Sequence, residues 1–184
     1  MHQVYRDGCE AAALSMMLRD RVGQRRLQAM LPIARPVRQD VENGAPTWGD
    51  PELGFVGNVA GGGYGVYDRP LLALARRFDS GTTNLTGAPL ESILAALRHG
   101  RPIVAWIALG ASDPVTWRAP SGRMVRANWA EHAITLTGYG DGVITYNNPW
   151  DGGRERFTLA QFAAVWGDLG DRAIAGSSLI TPVA

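Results

Sequence analysis

The chain has no lysine: its 18 basic side chains are all arginine. With many alanines and glycines beside them, this reads as coding bias rather than function, and no site is drawn from it. Arginine keeps its charge at any working pH and favours paired contacts. There is one cysteine among 184 residues, so an intramolecular disulfide is excluded and the fold must rest on packing, with a free thiol. A formal charge of +1 argues against an extended nucleic-acid footprint, and no run of like charges marks a disordered tail. The longest apolar stretches, such as 103–109, fall far short of a membrane span, and no charged start with an apolar h-region opens the chain. Three histidines without a close pair such as HxxxH, and no CxxC, argue against a zinc site built from Cys9, His132 and a carboxylate.

What is present suits one globular domain over residues 1–184, with 46% hydrophobic and 19% charged residues. From Asp7 the chain reads Asp-Gly-Cys-Glu-Ala-Ala-Ala-Leu, which predicts a helix capped by Asp7, with Glu10 completing a capping box and Cys9 in the first turn. Ala11, Leu14, Leu18 and Val22 recur at helical spacing, so one face should be buried. A short helix is expected over 26–31, a long ordered loop over 33–67, and helices over 70–78 and 89–99 with proline in the first turn. Strands follow at 103–109, 132–139 and 143–146, the last two joined by Gly-Asp-Gly. A helix over 158–166 capped by Thr158 and a strand over 173–180 close the chain. Helices first and antiparallel strands later give an α+β domain, expected in two layers.

A cysteine in the first turn of a helix lies beside unpaired N–H groups and the positive end of the helix dipole, which favours thiolate. His132, at the start of an alternating apolar strand, is the best base, and an amide at Asn147 or Asn148 could orient its ring. Gln3, six residues before Cys9, can reach back with its amide N–H toward a developing oxyanion, beside the Cys9 N–H. Taken singly, each has a bland alternative: a buried structural thiol, a structural histidine, a turn-forming asparagine, a solvated glutamine. The glycine-rich segment 61–65 lacks the Lys-Ser/Thr of a phosphate loop and reads as a flexible wall for an extended substrate. Trp48, Tyr64 and Tyr67 offer apolar contact there, and Trp129 and Trp150 either wall the cleft or pack.

The joint pattern resembles the papain-fold cysteine peptidase family C39, the double-glycine leader peptidases and their stand-alone relatives. It is carried by Gln3 with Gly8-Cys9-Glu10, by Gly49-Asp50-Pro51, Gly54-Phe55-Val56-Gly57-Asn58 and Gly65-Val66-Tyr67, by Gly100-Arg101-Pro102, by His132-Ala133-Ile134 with Gly138-Tyr139, and by Asn147-Asn148-Pro149. Gly-Cys-Glu around the thiol is similar to the stand-alone branch; the transporter-linked branch favours Asp-Cys-Gly. The resemblance implies a papain-like fold with Cys9 as nucleophile, His132 as base, the residue before Pro149 as third member and Gln3 as oxyanion donor. The family usually has aspartate before that proline, where this chain has Asn148; Asp141 and Asp151 are lesser candidates. An amide still orients an imidazole, as in Cys-His-Asn sites.

The activity implied is peptide-bond hydrolysis on a peptide or protein substrate, with no cofactor and no metal. The same residues also suit another acyl transfer or a peptide-binding module. Because the family is often exported, a removed signal segment and an extracellular location fit the sequence.

Overall fold

The computed structural model describes residues 1–34, 39–110 and 112–177. Helices α1 (Cys9–Met17) and α2 (Gln24–Met30) are followed by strands β1 (Asp40–Glu42) and β2 (Ala45–Thr47), helix α3 (Asp68–Ala75), β3 (Thr83–Asn84) and helix α4 (Leu90–Arg98). The second half holds β4 (Ile103–Ala108), β5 (Pro114–Arg118), β6 (Met124–Asn128), β7 (Glu131–Gly140), β8 (Val143–Asn147), β9 (Arg154–Thr158), helix α5 (Leu159–Gly167) and β10 (Ala173–Ala175). The fold is α+β. Residues 178–180 of the expected closing strand lie outside the described residues.

A six-stranded antiparallel sheet in the order β3-β10-β4-β7-β8-β9 forms the centre. Strand β4, Ile-Val-Ala-Trp-Ile-Ala, is buried at every position. Because side chains alternate along a strand, Val104 and Trp106 join the core around α1, while Ile103, Ala105 and Ile107 join the core around α4 and α5. The sheet is thus covered on both faces, so the expected two layers are three. Unbroken apolar runs are what a strand buried on both sides requires.

Helix α1 differs from the amphipathic helix predicted. Cys9 through Ser15 are all buried, because the alanines let neighbours approach from every side. Thr135 of β7 donates its hydroxyl proton to the Ala13 carbonyl at 2.9 Å. The helix ends at Leu18, where Arg19 and Asp20 take positive φ, so Val22 lies beyond it. Nor does the predicted capping box form. Gly8 is the N-cap, Asp7 instead accepts from the Gly63 N–H at 2.8 Å, and Glu10 accepts from the Val66 N–H at 2.6 Å. Both acids tie the helix start to the glycine-rich segment. At α5 the cap is as read: Thr158 and Gln161 form a full capping box.

The stretch 33–67 is not loop throughout. It holds β1 and β2, and β2 joins β5 and β6 in a second sheet of order β1-β2-β5-β6. These strands are short, and Pro46 and Pro114 interrupt any β pattern, so the sequence left them unmarked. Trp48, Tyr64, Trp117 and Trp129 pack together there, with ring centroids 5.1–6.3 Å apart. Trp48 in this cluster and Tyr67, edge-on to Tyr64, are both buried and so are packing residues.

Candidate active site

The first residues of α1, the start of β7 and the turn after β8 converge on a cleft of about 290 Å³ whose lining includes Gln3, Cys9, Tyr64, Glu131, His132 and Trp150. The N-terminal segment is held there by the Gln3 backbone N–H, which donates to the Pro149 carbonyl at 2.8 Å. Cys9, His132 and Gln3 thus share one cleft, with Asn148 behind the histidine.

Sheet register decides between the two asparagines. Asn147 stands opposite Thr135, whose hydroxyl faces α1. One residue on, Asn148 falls on the other side of the pleat, the side of His132, and diagonal neighbours on one face are within side-chain reach. His132 Nε2 and Asn148 Oδ1 are 2.8 Å apart. The orientation of the amide is fixed independently: Oδ1 accepts from the Trp150 N–H at 2.9 Å, and Nδ2 donates to Glu155 Oε1 at 2.8 Å. Nε2 must therefore carry the ring proton and donate it, leaving Nδ1 with the free lone pair. Asp151 instead accepts from the Gly153 N–H, and Asp141 takes the positive φ of the hairpin turn.

Glu155 went unnoticed in the sequence. It pairs with Tyr146 across β8 and β9, accepts the Tyr146 hydroxyl on Oε2 at 2.6 Å, and holds Asn148 with its other oxygen. Within Arg-Glu-Arg-Phe-Thr it has the appearance of an ordinary solvent-facing strand residue, so no local signal marks it.

Cys9 is buried, and its thiol donates to Glu10 Oε2 at 3.4 Å. Glu131, on the same side of β7 as Ala133 and Thr135, brings its carboxyl into the same space; the ligating atoms of Cys9, Glu10 and Glu131 all lie within 4.8 Å of one another. Burial, then the nearby charges of Glu10 and Glu131, push the thiol well above its ordinary value. The expectation of a thiolate favoured by the helix start is overturned, because burial and two carboxyls outweigh the helix dipole. Burial also raises Glu10 to about 7 and lifts Glu131 well above the carboxylate range, the latter with help from Glu10 and Asp7. His132 is lowered by burial, opposed by its bond to Asn148 and by the charges of Glu155 and Asp151. Both shifts favour the neutral form, of the thiol and of the imidazole alike.

Gln3 lines the cleft, yet its Nε2 donates to the Tyr5 and Arg6 carbonyls at 3.0 and 2.5 Å. Both amide protons are engaged, so serving an oxyanion means exchanging one of these bonds. The Cys9 N–H, first in α1, has no acceptor within the helix. Exposed Leu109, Trp129 and Trp150 form the apolar part of the wall, with Arg6 and Asp7 as its polar part. Among the described residues the set able to ligate a cation is Cys9, Glu10 and Glu131, not the Cys9 and His132 set weighed from sequence.

Comparison with known proteins gives the family and the fold. A model described as the Peptidase_C39 like family matches residues 1–174. The uncharacterized protein YvpB of Bacillus subtilis (strain 168) is 32% identical over 133 residues, covering 68% of this chain and 52% of that protein. The chain thus spans about half the length of that curated relative. The crystal structure of a protein from Bacillus anthracis, described as a C39-like peptidase, superposes with a TM-score of 0.83 at 26% identity, covering 97% of this chain and 94% of that one.

Proposed function

Because this chain belongs to the Peptidase_C39 like family, we propose that it is a cysteine peptidase in which Cys9 is the nucleophile, His132 the base and Asn148 the residue that orients the base. The observation that carries this reading is the fixed tautomer of His132: Asn148 Oδ1 accepts a hydrogen bond from Nε2–H, Nδ1 keeps its lone pair, and His132 and Cys9 line one cleft.

In this reading substrate binding brings a carbonyl carbon to Sγ. As the S–C bond forms, His132 Nδ1 takes the thiol proton, and the negative charge moves to the carbonyl oxygen. The Cys9 N–H receives that charge, joined by Gln3 if one of its carbonyl bonds is exchanged. The imidazolium then protonates the leaving amine, and the C–N bond breaks to leave a thioester. Water, deprotonated by Nδ1, attacks the thioester, and the proton returns to sulfur as the acid departs. Leu109, Trp129 and Trp150 favour peptides with apolar side chains next to the scissile bond.

The test is hydrolysis of a mixed peptide library by the protein and by Cys9→Ala in parallel, with products identified by mass. Cleavage that depends on Cys9 supports the reading. Equal results from the two proteins, with or without cleavage, overturn it.

A further inference from the structure

His132, Asn148, Glu155 and Tyr146 form a continuous chain. His132 Nε2 lies 2.8 Å from Asn148 Oδ1, Asn148 Nδ2 donates to Glu155 Oε1 at 2.8 Å, and the Tyr146 hydroxyl donates to Glu155 Oε2 at 2.6 Å. We propose that Glu155 is a positioning residue of the candidate site: acting through the Asn148 amide, it supplies to His132 the negative charge that a carboxylate bonded directly to the ring would provide. The inference rests on the reading of His132 as the base.

The physical argument has three steps. An amide alone can orient an imidazole, but it brings no net charge to stabilise the imidazolium that forms when the base takes a proton. A carboxylate accepting the amide N–H makes that bond charge-assisted, roughly twice as strong as a neutral one. It also polarises the amide, so that Oδ1 becomes a better acceptor for the ring N–H. Both carboxylate oxygens of Glu155 are held, one by Asn148 and one by Tyr146, so the charge is kept in one place. Asn148 is buried, where such coupling is least screened.

Other charged groups surround the ring. Asp151 acts on His132 in the same direction as Glu155. Arg6, Asp7, Glu131 and the Cys9 thiol line the cleft in front. Of these, Glu155 is the one bonded to the amide that holds His132.

The test exchanges the acid and the amide. Glu155→Gln keeps the size of the side chain and removes its charge. The double variant Asn148→Asp with Glu155→Gln puts the charge directly on the ring, with an amide behind it. The readout is titration of the His132 ring by NMR, resolved from His2 and His99 by their single substitutions, together with the pH profile of kcat/KM on a peptide found in the library.

Glu155→Gln should move the His132 titration to lower pH. It should lower kcat/KM roughly tenfold at neutral pH with KM little changed, and the double variant should recover both. A His132 titration unmoved in Glu155→Gln overturns the proposal, as does a double variant no better than the single one. A purely structural role would lower Tm without moving the ring titration. Because NMR reads the ring without turnover, absence of hydrolysis would sink the peptidase reading and leave this coupling to be judged alone.

Discussion

The carboxyl groups of Glu10 and Glu131 meet beside the Cys9 sulfur, from the first turn of α1 and the first residue of β7. Two carboxyls so close in a space with little water cannot both ionise cheaply, and one holds a proton through neutral pH. Glu10 carries a second constraint, since Oε1 accepts from the Val66 N–H while Oε2 faces the thiol.

The pair makes stability depend on pH. Glu10 is raised to about 7 in the folded protein and returns to an ordinary carboxylate value on unfolding. The folded state therefore binds more protons between those values, and the stability this contributes is full below the unfolded value and lost as pH rises through about 7. Tm should be higher at pH 5 than at pH 8. In Glu131→Gln the same comparison should give a smaller difference, and an equal or larger one would count against the coupling.

Cys9 should behave as a reluctant thiol. Burial and the two carboxyls hold it protonated, so alkylation by iodoacetamide should speed up only at alkaline pH. Glu10→Gln removes the negative charge beside the thiol, and should move the midpoint of the rate profile to lower pH. A shift to higher pH would mean that Glu10 activates the thiol instead of restraining it.

Gly65 is restricted both by its backbone and by the Glu10 carboxyl beside it. It takes φ +130°, and a Cβ there would sit 2.1 Å from Glu10 Oε1. Gly65→Ala should cost about 2 kcal/mol or more in urea unfolding and should disturb Cys9 alkylation as well. Gly44→Ala, at φ +75° with nothing within 4 Å of its Cβ, gives for comparison the cost of a left-handed position without a clash.

Trp129 and Trp150 are both exposed at the cleft, though Trp129 is steadied by stacking against Trp117 at 6.3 Å. If they grip apolar peptide side chains, Trp129→Ala should raise KM by about tenfold with kcat little changed, the loss expected from one buried apolar contact. A loss confined to kcat would place the tryptophan in the chemistry rather than in binding.

Much of the framework was legible in the residues. The helices at 90–98 and 159–167 were marked by proline or threonine at the start, and β4, β7 and β8 by their apolar runs. The Gly-Asp-Gly turn appeared where its dipeptide signal placed it. The second sheet was not legible, because β1, β2, β5 and β6 are short, β2 and β5 contain proline, and tryptophans distant in sequence pack together there. The capping box at Asp7 and Glu10 failed for a related reason: both carboxylates found backbone N–H groups some 56 residues away in sequence, partners that no local pattern reveals.

The sequence by itself determined that one thiol would open a helix and one histidine would stand near the start of a strand, since helix and strand propensity are local properties. Tertiary structure alone decided the rest. Register parity chose Asn148 over Asn147, the pairing of β8 with β9 put Glu155 behind it, and the packing of α1 against β7 brought Glu131 to Cys9. These depend on which chain segments become neighbours, and burial then reversed the charge state that the thiol's local position had suggested.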